Sequence, residues 1–174
     1  MKKLIMVIPL VILLCFTFGC QQAEEVAEEP EPVVDIEAEK AAVKAWIDDF
    51  VKCWETEDME LFSKIVAHDD DMVVFGTDAA EHFIGWEPMK ESMQKQFDSS
   101  ENIQVTTREL SIKVHKSGEV AWISFLMDLK GEAMGEPFNI EGMRFTGVME
   151  KRNGNWVIVQ VHASVPVAGQ AVKY

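Results

Sequence analysis

The stretch MRFTGVMEKRNGNWVIVQVHASVP, which runs from Met143 to Pro166, decides the fold. Apolar and polar residues alternate on both sides of Asn153-Gly154, and an Asn-Gly pair between alternating segments is one of the strongest signals for a β-hairpin. Polar residues interrupt the Val, Ile, Phe and Trp of the two arms, namely Arg144, Thr146, Gln160, His162 and Ser164. An arginine and a histidine near the open end of a half-buried hairpin indicate a candidate site.

The length of the turn determines which of these side chains share a face of the sheet. A strict two-residue turn puts Arg144 and His162 on opposite faces. A three-residue turn, with Gly154 in the left-handed conformation, shifts the register by one residue, and Arg144 then faces His162. Thr146 faces Gln160 in that register. Because it separates polar from apolar residues more completely, we favour it and place the polar row on the concave side of the sheet.

The residues before the hairpin predict helices first and strands later. Apolar residues at helical spacing predict helices at 35–58, 58–66 and 86–100, with Asp35 as the first N-cap. Period-two patterns predict a short strand pair at 72–75 and 82–84, and long strands at 102–115, 120–131, 138–152 and 155–167. This order predicts an α+β fold in which a strongly curved antiparallel sheet, four long strands plus the short pair, wraps around three N-terminal helices. Such a cone-like shape leaves a central pocket.

The pattern of the N-terminal residues indicates a targeting segment. Two lysines precede a 15-residue apolar run at 4–18, which is shorter than the ~20 residues of a membrane-spanning helix, so residues 1–19 are predicted to be a signal peptide. Gly19-Cys20 resembles the bacterial lipoprotein cleavage site, and we expect Cys20 to carry the lipid. The alternatives are an ordinary signal peptide or an uncleaved anchor.

An acidic tether follows at residues 20–36. The stretch 21–39 holds eight acids and no base, and such Glu- and Pro-rich segments bury too little to fold alone. The folded domain is predicted at 37–167 and a C-terminal tail at 168–174. We therefore expect a protein that is secreted across the cytoplasmic membrane and held, extracytoplasmic, on the membrane by its N-terminal lipid.

Charge and cysteine content exclude several classes of function. The chain has 16 basic and 30 acidic residues, a net charge of −14. Because nucleic-acid binding needs clustered Lys and Arg, we expect no nucleic-acid partner. The acids of the HDDD run at 68–71 follow a helix, where they are usually solvated, so we expect no metal and no cofactor. Cys53 is expected to be a small buried side chain.

The order of elements resembles that of the SnoaL-like members of the nuclear transport factor 2-like cone fold, over residues 36–167. Three segments carry the resemblance: FGTDAAEHFIGWEPM at 75–89, SGEVAWISFLMD at 117–128, and the hairpin from Arg144 to Pro166. In the hairpin the family often shows Arg-X-Thr, Gly-X-Trp and His-X-Ser, which here are Arg144 and Thr146, Gly154 and Trp156, and His162 and Ser164. The resemblance implies the fold and a cavity-lining role for these positions, but no single activity.

The candidate site combines these residues. The expected apolar wall consists of Trp46, Phe75, Trp86 and Trp122, with His82 at the pocket mouth. The expected polar contacts are Arg144, Thr146, Gln160, His162 and Ser164. A buried arginine needs a carboxylate, and Asp78, Glu81, Asp128 or a ligand are the candidates.

Three functions remain open from the sequence. The leading hypothesis is a binding module for a small, partly apolar ligand. The second is a lyase or isomerase in which His162 is a general base and Arg144 stabilises an oxyanion, with Asp78 as a further catalytic candidate. The third is a homodimerisation module that uses the outer sheet face, for which we expect an apolar row at Phe145, Met149, Val157, Val159 and Val161.

Overall fold

Three helices precede most of a six-stranded sheet in the part of the chain that the structure describes, residues 33–170 and 172–173 of a computed structural model. The predicted signal peptide, Cys20 and most of the predicted tether lie outside the described residues. Within them, no helix is both long enough and apolar enough to cross a membrane.

Helix α1 (Ile36–Glu55) begins at the predicted N-cap. The carboxylate of Asp35 accepts hydrogen bonds from the backbone N–H groups of Glu37 at 3.1 Å and Ala38 at 3.0 Å, which satisfies donors that a helix start leaves unpaired. One face of the helix is buried through Val43, Trp46, Ile47, Phe50 and Cys53. Helix α2 (Met59–Ile65) follows, capped in the same way by Asp58.

The short strand pair and the third helix come next. Strands β1 (Val73–Phe75) and β2 (His82–Ile84) are antiparallel. Helix α3 (Trp86–Ser99) begins directly after Gly85 and buries Trp86, Met93 and Phe97. The predicted helix and strand pair are confirmed within two residues at each end.

Four long strands complete the sheet. They are β3 (Ser100–Val114), β4 (Val120–Ala133), β5 (Glu136–Arg152) and β6 (Asn155–Ser164). The spatial order is β2-β1-β6-β5-β4-β3, and every neighbouring pair is antiparallel except β1 and β6. The predicted α+β fold with a curved sheet is confirmed.

The sheet has an inner face under the helices and an outer face. On the inner face, Phe50 of α1 meets Phe145 of β5 at a ring-centroid distance of 5.1 Å and Phe125 of β4 at 6.3 Å. Side chains alternate along a strand, so the neighbours of Phe145, Arg144 and Thr146, lie on the outer face, where both are exposed.

The register of the β5–β6 hairpin differs from the favoured prediction. Asn153 and Gly154 both have positive φ, 52° and 82°, and form a two-residue turn. The irregularity lies further along, between Val148 and Met149. This irregularity still separates polar from apolar side chains between the two faces of the sheet. The cross-strand pairs beyond it are Arg144 and Ser164, Thr146 and His162, and Val148 and Gln160.

Gly147 makes this irregularity feasible. A Cβ at residue 147 would lie 2.6 Å from Cδ1 of Ile158 and 3.2 Å from the carbonyl oxygen of Gln160. Those distances are shorter than ordinary van der Waals contact. The glycine therefore lets β6 approach β5 at the point where the register shifts.

Candidate functional site

A cavity lies between the helices and the inner face of the sheet. Its volume is about 150 Å³. Aromatic residues from every layer line it, namely Phe50, Trp54, Phe62, Phe83 and Phe145. The predicted central pocket is therefore present, and its wall is mainly apolar.

Methionines form a second part of the wall. They come from α3, β4 and β5, and are Met89, Met93, Met127 and Met143. The methionine side chain has three rotatable bonds and a polarisable sulfur, so it adapts its shape to different contents at low cost. This wall can therefore adjust to ligands of somewhat different outline.

The indole of Trp54 supplies a buried polar group beside the cavity. Its Nε1–H has no hydrogen-bond partner among residues 33–170 and 172–173. Its aromatic neighbours are Phe50 at a ring-centroid distance of 6.4 Å and Phe97 at 5.5 Å, the latter in an edge-to-face arrangement. An unpaired buried donor costs about 1–3 kcal/mol, and Trp54 is also one of the residues that line the cavity.

The β1–β2 turn supplies the remaining polar lining. Glu81 Oε2 accepts hydrogen bonds from the backbone N–H of Thr77 at 2.7 Å and of Asp78 at 3.1 Å, and from Thr77 Oγ1 at 3.2 Å. Thr77, Glu81 and Gln96 are each partly exposed and mark where the cavity meets solvent. Within the described part of the chain, no lysine, arginine or histidine lines the cavity.

The predicted polar row lies elsewhere. Arg144, Thr146, Gln160 and His162 are exposed on the outer face and do not line the cavity. The prediction that this row faces the concave side is therefore wrong. The physical reason is that the helices pack against the face of the sheet that carries the larger apolar side chains. The opposite face, which carries the polar row, is therefore left to solvent.

Four predicted ligand-binding residues still come together on the outer face. An open groove of about 380 Å³ is lined by Lys113 and by Trp122, Thr146, Gln160 and His162. Beside it, Phe75 stacks on His82 at 4.7 Å and meets His162 edge-on at 6.0 Å. Phe75 and Trp122 are thus outer-face residues and not the expected cavity wall, and His82 lies beside Phe75 and not in the lining of the cavity mouth.

Arg144 has none of the predicted carboxylate partners. Among the described residues it forms no ion pair, and its exposure removes the need for one. Asp128 instead accepts from the backbone N–H of Gly142 at 2.7 Å and pairs with Arg108 at 3.2 Å. These two contacts, the Gly142 bond first, lower the pKa of Asp128. Asp78 is exposed in the β1–β2 turn.

Trp46 and Trp86 are core residues outside the cavity lining. The Nε1–H of Trp46 donates to the carbonyl oxygen of Ile65 at 2.8 Å. Trp86 is 7% exposed and stacks on His68 at 4.1 Å. Neither side chain contributes to the cavity wall.

Comparison with known proteins identifies the family. The model of the SnoaL-like domain matches residues 43–168, which is most of the chain. The chain belongs to the SnoaL-like domain family. A comparison with curated proteins finds no significant match.

Solved structures share the fold of this SnoaL-like domain. A nuclear transport factor 2-like superfamily protein from Salmonella enterica has a TM-score of 0.67 and 20% identity, covering 79% of this chain and 99% of that one. A scytalone dehydratase candidate from Novosphingobium aromaticivorans has a TM-score of 0.64 and 13% identity, covering 75% and 86%.

A third solved structure also shares the fold. A candidate calcium/calmodulin-dependent protein kinase II association domain from Xanthomonas campestris has a TM-score of 0.62 and 18% identity, covering 73% and 87%. At these identities the likeness concerns the fold alone, and the function must be argued from the site.

The residues that line the cavity of this SnoaL-like domain were largely missed as site residues from sequence. Trp54, Met89 and Met93 were recognisable on the buried faces of α1 and α3, but a buried face does not distinguish core from cavity wall. Glu81 was considered only as a partner for Arg144. The signal that could have pointed to an adaptable pocket is the methionine content, ten residues in the chain.

Metal-binding residues do not cluster in this SnoaL-like domain. Over the described ranges, no group of three or more His, Cys, Asp or Glu side chains could hold an ion. In the HDDD run, Asp69 pairs with Arg152 at 2.6 Å and His68 Nε2 lies 2.9 Å from the carbonyl oxygen of Ser63. These two candidate metal ligands are therefore already paired with other groups of the protein.

Proposed function

We propose that this SnoaL-like domain binds a small, mainly apolar ligand in the cavity between its helices and the inner face of the sheet. The observation that carries the proposal is the wall of aromatic and methionine side chains around about 150 Å³. An apolar cavity of about this volume has room for one benzene-sized molecule. Burial of the ligand's apolar surface would supply the binding free energy.

The lining favours binding over catalysis. A lyase or isomerase needs an acid and a base near the reacting atoms. The residues proposed for those roles, His162 and Arg144, lie on the outer face, and the carboxylate that does line the cavity, Glu81, holds the β1–β2 turn through three hydrogen bonds. The enzyme hypothesis therefore has no support from the cavity.

Fluorobenzene is a probe of suitable size, and fluorine NMR reports its binding to the full chain. We expect line broadening with wild-type protein. Ala163→Leu places a larger side chain in the cavity wall and should weaken binding by at least about tenfold, whereas Ala41→Leu on the exposed side of α1 should not change it. Equal binding by all three proteins would contradict the proposal.

Membrane attachment is part of the proposed function. Cys20, after a 15-residue apolar run and Gly19, would carry the lipid, and the acidic segment to residue 36 would hold the domain, proposed at 37–167, off an extracytoplasmic membrane surface. Labelling of cells with a radioactive fatty acid tests this. Wild type and Cys15→Ser should be labelled, and label that persists in Cys20→Ser would contradict the proposal.

A homodimer through the outer face is a second proposal. The apolar row expected there is wrong at Phe145 and Met149, which are 5% and 0% exposed and belong to the core. Other large apolar side chains take that place, since Phe75, Ile84 and Trp122 are 44%, 58% and 42% exposed. A second copy would cover them.

Sedimentation velocity tests the dimer. We expect wild-type dimers that Trp122→Lys dissociates, because a charge would be buried at the interface. Met134→Lys is the matched control, since Met134 is 89% exposed in the β4–β5 turn. A monomeric wild type would contradict the proposal.

A further inference from the structure

The groove on the outer face of the sheet has a basic lining, although the chain as a whole carries a net charge of −14. Lys113 and His162 line it, and over residues 33–170 and 172–173 no aspartate or glutamate does. Arg144 pairs with Ser164, and Thr146 pairs with His162, so Arg144 is the diagonal neighbour of His162 at about 7–8 Å. Neither Lys113 nor Arg144 forms an ion pair with another described residue.

Two acids of the same face are already paired with other arginines. Asp128 and Glu150 each follow a buried methionine, and because side chains alternate along a strand they lie on the outer face. Asp128 pairs with Arg108 at 3.2 Å, and Glu150 pairs with Arg152 at 2.8 Å. These carboxylates therefore leave the positive charge of the groove without a counter-charge.

The proposed dimer would bring the basic groups of two copies together. Trp122 is a side chain that this dimer buries, and Lys113 Nζ lies 5.9 Å from the centroid of its ring. Lys113 therefore enters the interface with Trp122. In a two-fold dimer the same patch of each copy meets itself, and like charges in such an interface oppose association unless a counter-charge enters with them.

The groove also carries hydrogen-bond donors that suit an oxyanion. Hydroxyl groups of Ser111, Ser124 and Thr146 follow one another across β3, β4 and β5, in register with His162 on β6. Hydroxyl and imidazole N–H groups donate hydrogen bonds, and a guanidinium group such as that of Arg144 binds carboxylate or phosphate through two parallel bonds. On one copy the groove, about 380 Å³, is open to solvent, so a second copy is needed to enclose a ligand.

We propose that the outer-face dimer holds a small oxyanion with two or more negative charges, a polycarboxylate or a phosphate compound, between its two copies. This inference rests on the proposed dimer and names the ligand that completes its interface. Lys113 and Arg144 of both copies supply the counter-charge, and the hydroxyl row supplies hydrogen bonds. Because the anion binds the dimer more tightly than the monomer, it shifts the equilibrium towards the dimer by mass action.

Sedimentation velocity of the full chain at several protein concentrations tests the proposal. The dissociation constant of the dimer is measured in citrate, in pyrophosphate and in acetate at equal ionic strength. We expect citrate or pyrophosphate to lower this constant at least about tenfold relative to acetate. The more effective of the two shows whether carboxylate or phosphate groups are preferred.

Two variants separate a bound anion from a general effect of salt, because multivalent anions also strengthen apolar burial by their exclusion from protein surfaces. Arg144→Gln and Lys113→Gln break no ion pair among the described residues. In acetate both variants should dimerise more tightly than wild type, since repulsion is reduced, and the effect of the multivalent anion should shrink. Lys95→Gln, exposed on α3, is the matched control and should behave as wild type.

The outcomes separate this inference from the dimer on which it rests. Monomers in all three salts would overturn both. Dimers of equal affinity in all three salts would leave the dimer in place and overturn the inference. The inference is also overturned if the multivalent anion strengthens both variants as much as wild type, or if the two variants dimerise more weakly than wild type in acetate.

Discussion

Gly76 and Glu81 pack so closely that a side chain at residue 76 would overlap the glutamate. A Cβ at that position would lie 2.6 Å from the Cβ of Glu81 and 2.9 Å from its Cδ. The glycine thus leaves the space in which the carboxylate reaches the backbone N–H of Thr77 at 2.7 Å. This contact fixes the β1–β2 turn at the edge of the cavity.

Gly76→Ala should therefore destabilise the domain by about 1–3 kcal/mol, the usual cost of forcing extra atoms into a packed site. Urea unfolding measures the change. In a Glu81→Gly background the added methyl group no longer meets a side chain, and the same substitution should cost much less. An equal cost in both backgrounds would show that the overlap with Glu81 is not the cause.

Glu39 should be the acid of α1 that matters most for stability. Its carboxylate accepts from Lys151 Nζ at 2.6 Å and from Trp156 Nε1 at 3.1 Å, and so joins the helix to the hairpin. Glu39→Ala should cost about 1.5–3 kcal/mol, the range for hydrogen bonds to charged groups. Glu37→Ala is the control, because Glu37 is 82% exposed and its one ion pair among the described residues is with Lys40. It should change the unfolding free energy by less than about 0.5 kcal/mol. Similar losses for both variants would contradict the account.

Asp69 should make stability depend on acid pH. Its hydrogen bonds with Arg152, at 2.7 and 2.6 Å, lower its pKa below the usual 3.8. A carboxyl group whose pKa is lower in the folded state contributes stability that is present above the unfolded pKa and is lost as the pH falls through the folded pKa.

The contribution of Asp69 is measured as the difference in unfolding free energy between wild type and Asp69→Asn. It should be about 1 kcal/mol near pH 7, because the pair is partly exposed, and should shrink below pH 3.8. Asp48→Asn removes a more exposed carboxylate, 64% accessible, and is the matched control. A difference that stays constant down to the lowest accessible pH would argue against the ion pair.

Cys53 should be unreactive in the folded protein. The side chain is 0% exposed, and its thiol donates to the carbonyl oxygen of Phe50 at 3.2 Å. Burial first, and then the negative charges of Asp58 and Asp49, raise the pKa of Cys53 to about 12. Because the thiolate is the reactive form, iodoacetamide near pH 8 should modify the Cys53 peptide only after denaturation, as mass spectrometry would show. Rapid modification of native protein would contradict the assigned burial.

The sequence was sufficient for the elements and their order. Asp35 caps α1 as the spacing predicts, and Asn153-Gly154 forms the hairpin turn. These features are local, because a cap or a turn depends on a few neighbouring residues and their allowed backbone angles. For that reason they can be predicted without knowledge of the rest of the fold.

The side of the sheet on which the polar row lies was not predicted correctly. Alternation groups Arg144, Thr146 and His162 on one face, but it does not state whether the helices cover that face. The register irregularity between Val148 and Met149 could not be predicted from the sequence either, because it depends on the close approach of β6 at Gly147. Both are consequences of packing between distant segments, and so is the unpaired N–H of Trp54.

Methionine methyl NMR during titration with fluorobenzene tests the central claim most directly, since four methionines line the cavity. The account predicts shift changes at Met89, Met93, Met127 and Met143, with none at Met134, which is 89% exposed in the β4–β5 turn. Binding that leaves the four cavity methionines unchanged and instead moves resonances of Trp122 and His162 would place the site in the outer groove and contradict the account.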